Sequence, residues 1–149
     1  MVTPGVRHLF VDTNILVFAT DANSPFGSAA ETELEQWRQQ GTRLYISVQV
    51  LREYMAVTTR PALNQTTPPD YPAILGNIVT FRSSFQVLEA TRFVSEKLGE
   101  LVQRFAVKGR QVHDASIAAT MITHGVQHLL THNGRDFTRF APLTAVHPL

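Results

Sequence analysis

The sequence predicts an α/β fold: a three-layer sandwich in which a central, mostly parallel sheet of about four or five strands is flanked by helices. Short apolar runs, typical of buried strands, alternate along the 149 residues with longer segments that carry apolar residues at helical spacing. The composition agrees, since 44% hydrophobic and 17% charged residues are usual in globular proteins. This length predicts a single domain that covers residues 1–149.

The first predicted strand covers 8–11 and ends at Asp12. A helix is predicted to start at Ser24–Pro25 and to stop at Gly41. Its apolar stripe follows the i, i+4, i+7 spacing and consists of Ala30, Leu34 and Trp37.

The second predicted strand covers 44–46 and leads into another helix, which Ser47 caps. This helix must end near Arg60, because Pro61 disfavours helical geometry in the residue before it. Its apolar stripe is predicted to be Val50, Tyr54 and Val57. Prolines and threonines over 61–69 then predict a surface loop.

The second half predicts three more helices and three more strands. Asp70 and Thr91 are predicted caps of two helices, and Gly109 is predicted to end the second of them. The last helix is predicted from about His113 to Gly125. The apolar residues of these helices are Ile74, Ile78 and Phe81, then Val94, Leu98, Leu101 and Phe105, then Ile117, Ala118, Met121 and Ile122. The strands are predicted over 85–88, 128–131 and 143–146.

Four acidic residues stand where a predicted strand meets a helix or a turn: Asp12, Glu53, Asp114 and Asp136. Ligands of parallel sheets bind beyond the carboxyl ends of the strands, and we expect these side chains to converge there. Carboxylates that are held together repel one another unless a cation lies between them. Hard oxygen ligands suit Mg²⁺ or Mn²⁺, so the sequence predicts a divalent-metal site, and such sites are often hydrolytic.

The charges exclude some classes of protein. A formal net charge of +1 argues against a strongly electrostatic nucleic-acid binder of the histone-like kind. A local basic rim around the acids is still predicted, and it would suit a polyanion; its members are Arg52, Lys108, Arg110, Arg135 and Arg139. The absence of cysteine excludes disulfides and thiolate metal sites. His124 and His128 straddle Gly125 and therefore share no helix face, which argues against a histidine zinc site.

The sequence contains no run that approaches the roughly 18 apolar residues of a membrane span. Its first residues lack the apolar region of a signal peptide. We therefore expect a soluble, cytoplasmic protein with no membrane partner.

Four separated motifs resemble those of PIN-domain ribonucleases, in particular the VapC toxins of bacterial type II toxin–antitoxin pairs. These motifs are VDTN at 11–14, the acid Glu53, HDASIAA at 113–119 and THNGRDF at 131–137. The resemblance runs from His8 to Val146. It implies a Mg²⁺- or Mn²⁺-dependent endoribonuclease that hydrolyses RNA phosphodiester bonds, a homodimer, and a cognate antitoxin that blocks the active site.

The same resemblance implies roles for individual residues. The predicted metal-binding and catalytic residues are Asp12, Glu53, Asp114 and Asp136. The predicted supporting residues are Thr13, Asn14, Thr131 and Asn133. Asn133 stands where many relatives carry Asp, and its neutral side chain would weaken a second metal ion more than a first. His113, Arg110 and Arg135 are predicted to contact the substrate.

Other functions remain open at this point. The chain could be a nuclease-dead PIN-fold module that binds RNA or protein, or a housekeeping PIN ribonuclease without an antitoxin. A phospho-acceptor receiver domain is also α/β with an acidic pocket, but it needs adjacent acids near the amino terminus, where Asp12 stands alone. Phe26, Tyr54, Phe137 and Phe140 are candidate contacts with a second copy or with an antitoxin.

Overall fold

The computed structural model describes residues 2–61, 66–141 and 144–149. The strands in these ranges are β1 (His8–Val11), β2 (Arg43–Ser47), β3 (Gln86–Leu88), β4 (His128–Thr131) and β5 (Ala145–Pro148). They form one sheet in the order β3-β2-β1-β4-β5, and each neighbouring pair is parallel. The predicted α/β fold is confirmed, with a sheet that is parallel throughout the described residues.

Helices connect these strands. They are α1 (Thr13–Thr20), α2 (Gly27–Gln39), α3 (Val48–Thr58), α4 (Tyr71–Ser84), α5 (Arg92–Arg104) and α6 (Gln111–Thr123), and a 3₁₀ helix, Gly134–Phe140, follows β4. The predicted caps are confirmed, since the side chains of Ser47, Asp70 and Thr91 accept hydrogen bonds from backbone N–H groups in the first turns of α3, α4 and α5. Within the described ranges, none of the helices has the length and apolar character that a membrane crossing requires.

The strand order places a crevice beside Asp12. The chain runs from β1 to β2 and β3 on one side, then returns across the sheet to β4 on the other side of β1. Because crossovers between parallel strands are right-handed, α1 to α4 cover one face of the sheet, and α5 and α6 cover the other. The carboxyl ends of β1 and β4 form the point where the winding direction reverses, which is where open α/β sheets bind ligands.

Several element boundaries differ from the prediction. The bounds of α1 were not predicted from the sequence, because its eight residues make only about two turns and show too little periodicity. α2 begins at Gly27 instead of Ser24–Pro25, since residues 24–26 form a turn in which the Ser24 Oγ accepts a hydrogen bond from the Phe26 N–H. α5 ends at Arg104 instead of Gly109, because Ala106 adopts a left-handed conformation with φ of 49°.

Two further boundaries shift by about two residues. α6 begins at Gln111 instead of His113, so that Asp114 lies in its first turn. β5 begins at Ala145, and Leu143 of the predicted strand lies outside the described residues, as do 62–65 of the predicted loop.

The core confirms most of the predicted apolar stripes and corrects a few side chains. Trp37, Val50, Ile78 and Leu101 are among the buried residues, whereas Val57 is 39% exposed and belongs to the rim of a cavity. The proposed contact role is wrong for three aromatic residues, because the side chains of Tyr54, Phe137 and Phe140 are at most 1% exposed. Phe26 is 39% exposed and remains available for contact.

Candidate active site

The carboxyl edge of the sheet opens into a cavity of about 640 Å³. Three of the predicted acids, Asp12, Glu53 and Asp114, line it together with the arginines Arg52, Arg60 and Arg110. The fold therefore brings together residues from the end of β1, from α3 and from the start of α6. Carboxylates and guanidinium groups share one concave surface, as an enzyme that binds both a cation and a polyanion would require.

Asp12 is the most buried of the four acids. Its backbone N–H donates to the Leu130 carbonyl at 3.0 Å, which fixes the residue between β1 and β4. One carboxylate oxygen accepts from the Thr13 N–H at 2.7 Å. The other accepts from the Thr131 hydroxyl at 2.7 Å and from the Asn14 amide at 3.2 Å. Asp12 also caps α1, whose positive end favours its charge.

The predicted supporting residues surround this carboxylate. The Asn14 side chain also accepts the His132 N–H at 3.2 Å, and the Asn133 N–H donates to the Thr131 hydroxyl at 3.0 Å. These bonds hold the segment after β4 against the start of α1. Their geometry suits a supporting role for Thr13, Asn14, Thr131 and Asn133, which stays a prediction.

Glu53 is held from two directions. The Thr13 hydroxyl donates to one carboxylate oxygen at 2.9 Å, and the Gln49 amide donates to the other at 2.7 Å. The same Gln49 amide donates to the His113 carbonyl at 3.1 Å and so ties α3 to α6. The His113 Nδ1 lies 3.9 Å from Glu53. Gln49 was not among the predicted site residues, although its i−4 position placed it on the Glu53 face of the helix.

The acids at this edge influence one another's protonation. Burial raises the pKa of Asp12 from 3.8 to about 6; the hydrogen bonds from Thr131 and Thr13 oppose this rise, and the charges of Glu53 and Asp136 add to it. Burial raises the pKa of Asp114 from 3.8 to about 7, and the charges of Asp136, Asp12 and Glu53 raise it further, while Arg139 lowers it. Mutual repulsion among carboxylates therefore acts across the site.

Asp136 differs from the other acids. It lies exposed on the 3₁₀ helix, outside the cavity lining, yet its charge acts on both Asp12 and Asp114. Asn133, three residues earlier, does line the cavity. The structure thus places three acids around the cavity and the fourth beside it.

The predicted basic and substrate-binding residues divide in the same way. Arg110 and His113 line the cavity, whereas Arg135 is exposed beside Asp136. Arg139 donates to the Gln111 side chain at 3.2 Å. Of the predicted basic rim, Arg52 and Arg110 belong to the lining, and Lys108, Arg135 and Arg139 do not. Arg60, which the sequence analysis did not select, belongs to it as well.

The donor chemistry fits a hard divalent cation. In the part of the chain that the structure describes, no three His, Asp or Glu side chains already stand close enough to ligate one ion together. The carboxylates nevertheless provide hard oxygen donors, and burial and repulsion raise the free energy of their charged forms. A cation would relieve that repulsion, so the residues present fit Mg²⁺ or Mn²⁺.

Comparison with known families decides which group of proteins this arrangement represents. The family model described as PIN domain matches residues 9–143. The chain belongs to the PIN domain family. This membership confirms the resemblance drawn from VDTN, HDASIAA and THNGRDF, and it places the acidic cavity in a PIN domain.

Solved structures share the fold of this PIN domain. VapBC2 from Rickettsia felis, bound to a DNA fragment from its promoter, has a TM-score of 0.70 at 18% identity, and the match covers 95% of this chain and 98% of that chain. VapC20 from Mycobacterium tuberculosis, a sarcin–ricin loop cleaving toxin, has a TM-score of 0.68 at 18% identity, and the match covers 92% of this chain and 96% of that chain.

A toxin–antitoxin complex from Klebsiella pneumoniae has a TM-score of 0.68 at 22% identity, and the match covers 95% of this chain and 99% of that chain. At these identities the likeness shows the fold. Among curated protein sequences, none matches this PIN domain significantly.

Proposed function

We propose that this PIN domain is a Mg²⁺- or Mn²⁺-dependent endoribonuclease, and that it is the toxin of a type II toxin–antitoxin pair. The observation that carries the proposal is the arginine-lined cavity in which Asp12, Glu53 and Asp114 stand together. Raised pKa values of Asp12 and Asp114 support it, because they indicate carboxylates that a cation would stabilise.

Asp12, Glu53 and Asp114 would hold the ion, with Asp136 close enough to contribute its charge. When bound, the ion supplies charge neutralisation at the phosphodiester and lowers the pKa of water, the attacking nucleophile in hydrolysis. The remaining contributions come from the chain itself. Thr131, Thr13 and Asn14 fix the orientation of Asp12, and Gln49 and Thr13 fix that of Glu53.

The arginines that line the cavity would bind the substrate backbone. Arg52, Arg60 and Arg110 offer guanidinium groups, which pair with phosphate oxygens in a planar, often bidentate geometry. His113 is exposed at the same rim. The substrate is assigned as RNA because the fold is that of VapC20, which cleaves the sarcin–ricin loop.

The toxin role rests on the proteins that share the fold. The Klebsiella pneumoniae structure is a toxin–antitoxin complex and VapC20 is a toxin, and we propose a cognate antitoxin for this chain on that basis. We propose a homodimer in addition. Along α4, Tyr71, Leu75 and Val79 are 54%, 55% and 68% exposed at i, i+4 and i+8. Such an apolar stripe is typical of surfaces that contact another protein, which supports the proposal of protein partners.

Incubation of the purified protein with a single-stranded RNA oligonucleotide tests the nuclease directly. We expect cleavage in Mg²⁺ or Mn²⁺ and none after chelation with EDTA, since the carboxylates alone cannot neutralise the phosphodiester. Denaturing electrophoresis of the RNA products measures cleavage with metal and after chelation. Cleavage that persists in EDTA would contradict the metal requirement, and binding without cleavage in either metal would favour the nuclease-dead module.

Expression in a bacterial host separates a toxin from a housekeeping ribonuclease. We expect induced wild-type protein to arrest growth, and we expect the Asp114→Asn variant at the same abundance to permit it. Growth curves together with immunoblots measure this difference. Unaffected growth in the presence of protein that cleaves RNA after purification would leave the ribonuclease assignment intact and remove the toxin role.

A further inference from the structure

A cluster of three aromatic rings borders the acidic cavity, whose lining includes one of them, Phe18. The rings are Phe18 from α1, Phe26 from the turn before α2, and His132 from the segment after β4. Their centroids lie 5.0 Å apart for Phe18 and Phe26, 5.2 Å for Phe18 and His132, and 4.5 Å for Phe26 and His132. None of the three rings has a role in the proposed metal site or in the proposed phosphate contacts.

The backbone holds these rings in place. The Asn14 side chain accepts the His132 N–H at 3.2 Å and also contacts the Asp12 carboxylate, so one residue positions both the ring and the acid. Gly27 permits the other contact, because a Cβ at this position would lie 3.0 Å from the Phe18 carbonyl oxygen. A larger residue at 27 would separate α1 from the turn that carries Phe26.

The rings are accessible and border the site. Phe26 is 39% exposed, His132 is exposed, and half-buried Phe18 lines the cavity itself. His132 is the neighbour of Thr131, whose hydroxyl lies 2.7 Å from Asp12. An exposed aromatic surface therefore begins within one residue of the group that holds the first acid.

We propose that Phe26 and His132, supported by Phe18, form a stacking subsite for one nucleobase of a single-stranded substrate. The inference rests on the proposed function and deepens it. The arginines that line the cavity suit the phosphates, and the aromatic rings that continue outward from Phe18 suit a base, so the cavity and its aromatic border match the two components of a nucleotide. Stacking on aromatic side chains is how proteins usually bind unpaired bases.

The alternative occupant is an apolar side chain of a protein partner. The position of the rings beside Asp12 favours the base, because a nucleotide whose phosphate lies in the cavity extends its base only a short distance from it. Phe26 and His132 contact Phe18, which lines the cavity, whereas the apolar stripe of α4 contributes no residue to that lining.

Binding of a short single-stranded RNA that contains 2-aminopurine tests the subsite. The experiment uses the Asp114→Asn protein, which should bind RNA without cleaving it. Two further substitutions are made in this protein: Phe26→Leu removes the aromatic ring, and Phe26→Tyr keeps it. We expect Phe26→Leu to weaken binding roughly 5- to 100-fold and to abolish the stacking-dependent quenching of 2-aminopurine, and Phe26→Tyr to retain both. Phe93→Leu is the matched control, because Phe93 is 56% exposed on α5 and belongs neither to the cavity lining nor to the cluster of Phe18, Phe26 and His132.

A strand without bases provides a second control, since an abasic RNA should bind the Phe26→Leu variant and its parent equally. Equal affinity and equal quenching in Phe26→Leu, Phe26→Tyr and Phe93→Leu would overturn the subsite and leave the rings as a protein-contact surface. If Phe26→Leu in otherwise wild-type protein also cleaves RNA at the normal rate, this inference fails while the proposed function stands. If wild-type protein neither binds nor cleaves RNA, both fail.

Discussion

Replacement of Asp114 by Asn is expected to reduce RNA cleavage by roughly 10³-fold or more. In the proposed function this carboxylate helps to hold an ion that would supply several kcal/mol of transition-state stabilisation, and ~1.4 kcal/mol corresponds to a tenfold change in rate. Asn keeps the shape of the side chain and one oxygen, but it removes the negative charge. Initial cleavage rates of a labelled RNA, compared in the same Mg²⁺ concentration, measure the loss.

Asp21→Asn is the matched control for this experiment. Asp21 is exposed at the end of α1 and lies outside the cavity lining, so its neutralisation should leave the cleavage rate unchanged. Asp12→Asn should also lose activity, but its amide would face the donating Asn14 amide, which makes it the less clean substitution. Full activity of a folded Asp114→Asn protein would remove Asp114 from the catalytic site.

The metal-free protein is expected to lose stability as the pH rises from about 4 to about 7. The pKa values of Asp12 and Asp114 are raised in the folded state to about 6 and about 7, from the ordinary value of 3.8. Between the unfolded and folded pKa values, the native state binds more protons than the unfolded state, so the free energy of unfolding falls with rising pH. Burial lowers the pKa of His147, and this residue acts in the opposite direction below pH 6.5.

The difference between two variants isolates the contribution of Asp114. Wild-type protein and Asp114→Asn should melt at similar temperatures near pH 4, because Asp114 is then neutral. At pH 8 without metal, Asp114→Asn should melt higher by about 2–4 °C, the shift that ~1 kcal/mol produces in a domain of this size. The partial exposure of Asp114 limits the effect. The raised pKa of Asp114 would be contradicted if the difference in melting temperature between wild type and Asp114→Asn did not change with pH, while Asp21→Asn melted like wild type at each pH.

Much of the fold could be predicted because its local signals are strong. β1 and β4 are short apolar runs with polar neighbours, and their bounds were predicted to the residue. The starts of α3, α4 and α5 were predictable because each has a capping residue, Ser47, Asp70 and Thr91 respectively. The bounds of α1 were not predicted because two turns are too short to show a periodic pattern. The early end of α5 was not predicted because nothing in the sequence marks the left-handed conformation of Ala106.

The site was predictable only as far as strand ends and motifs could locate it. Asp12, Glu53 and Asp114 were placed at one sheet edge by topology alone, and the structure brings them to one cavity. The bridge from Gln49 to His113 joins residues 64 positions apart, and the ring of His132 meets that of Phe26 through the packing of α1 and α2. Contacts of this kind depend on tertiary structure, so periodicity and motif spacing could not reveal them.

Titration of the metal-free protein with Mn²⁺ tests the central claim, that these carboxylates form a divalent-cation site, most directly. Titration calorimetry should show saturable Mn²⁺ binding to wild-type protein and to Asp21→Asn, and strongly weakened binding to Asp12→Asn and Asp114→Asn. The melting temperature of wild-type protein should rise with the Mn²⁺ concentration. Binding of equal strength in all of these variants, or no binding to wild-type protein that still cleaves RNA, would contradict the claim.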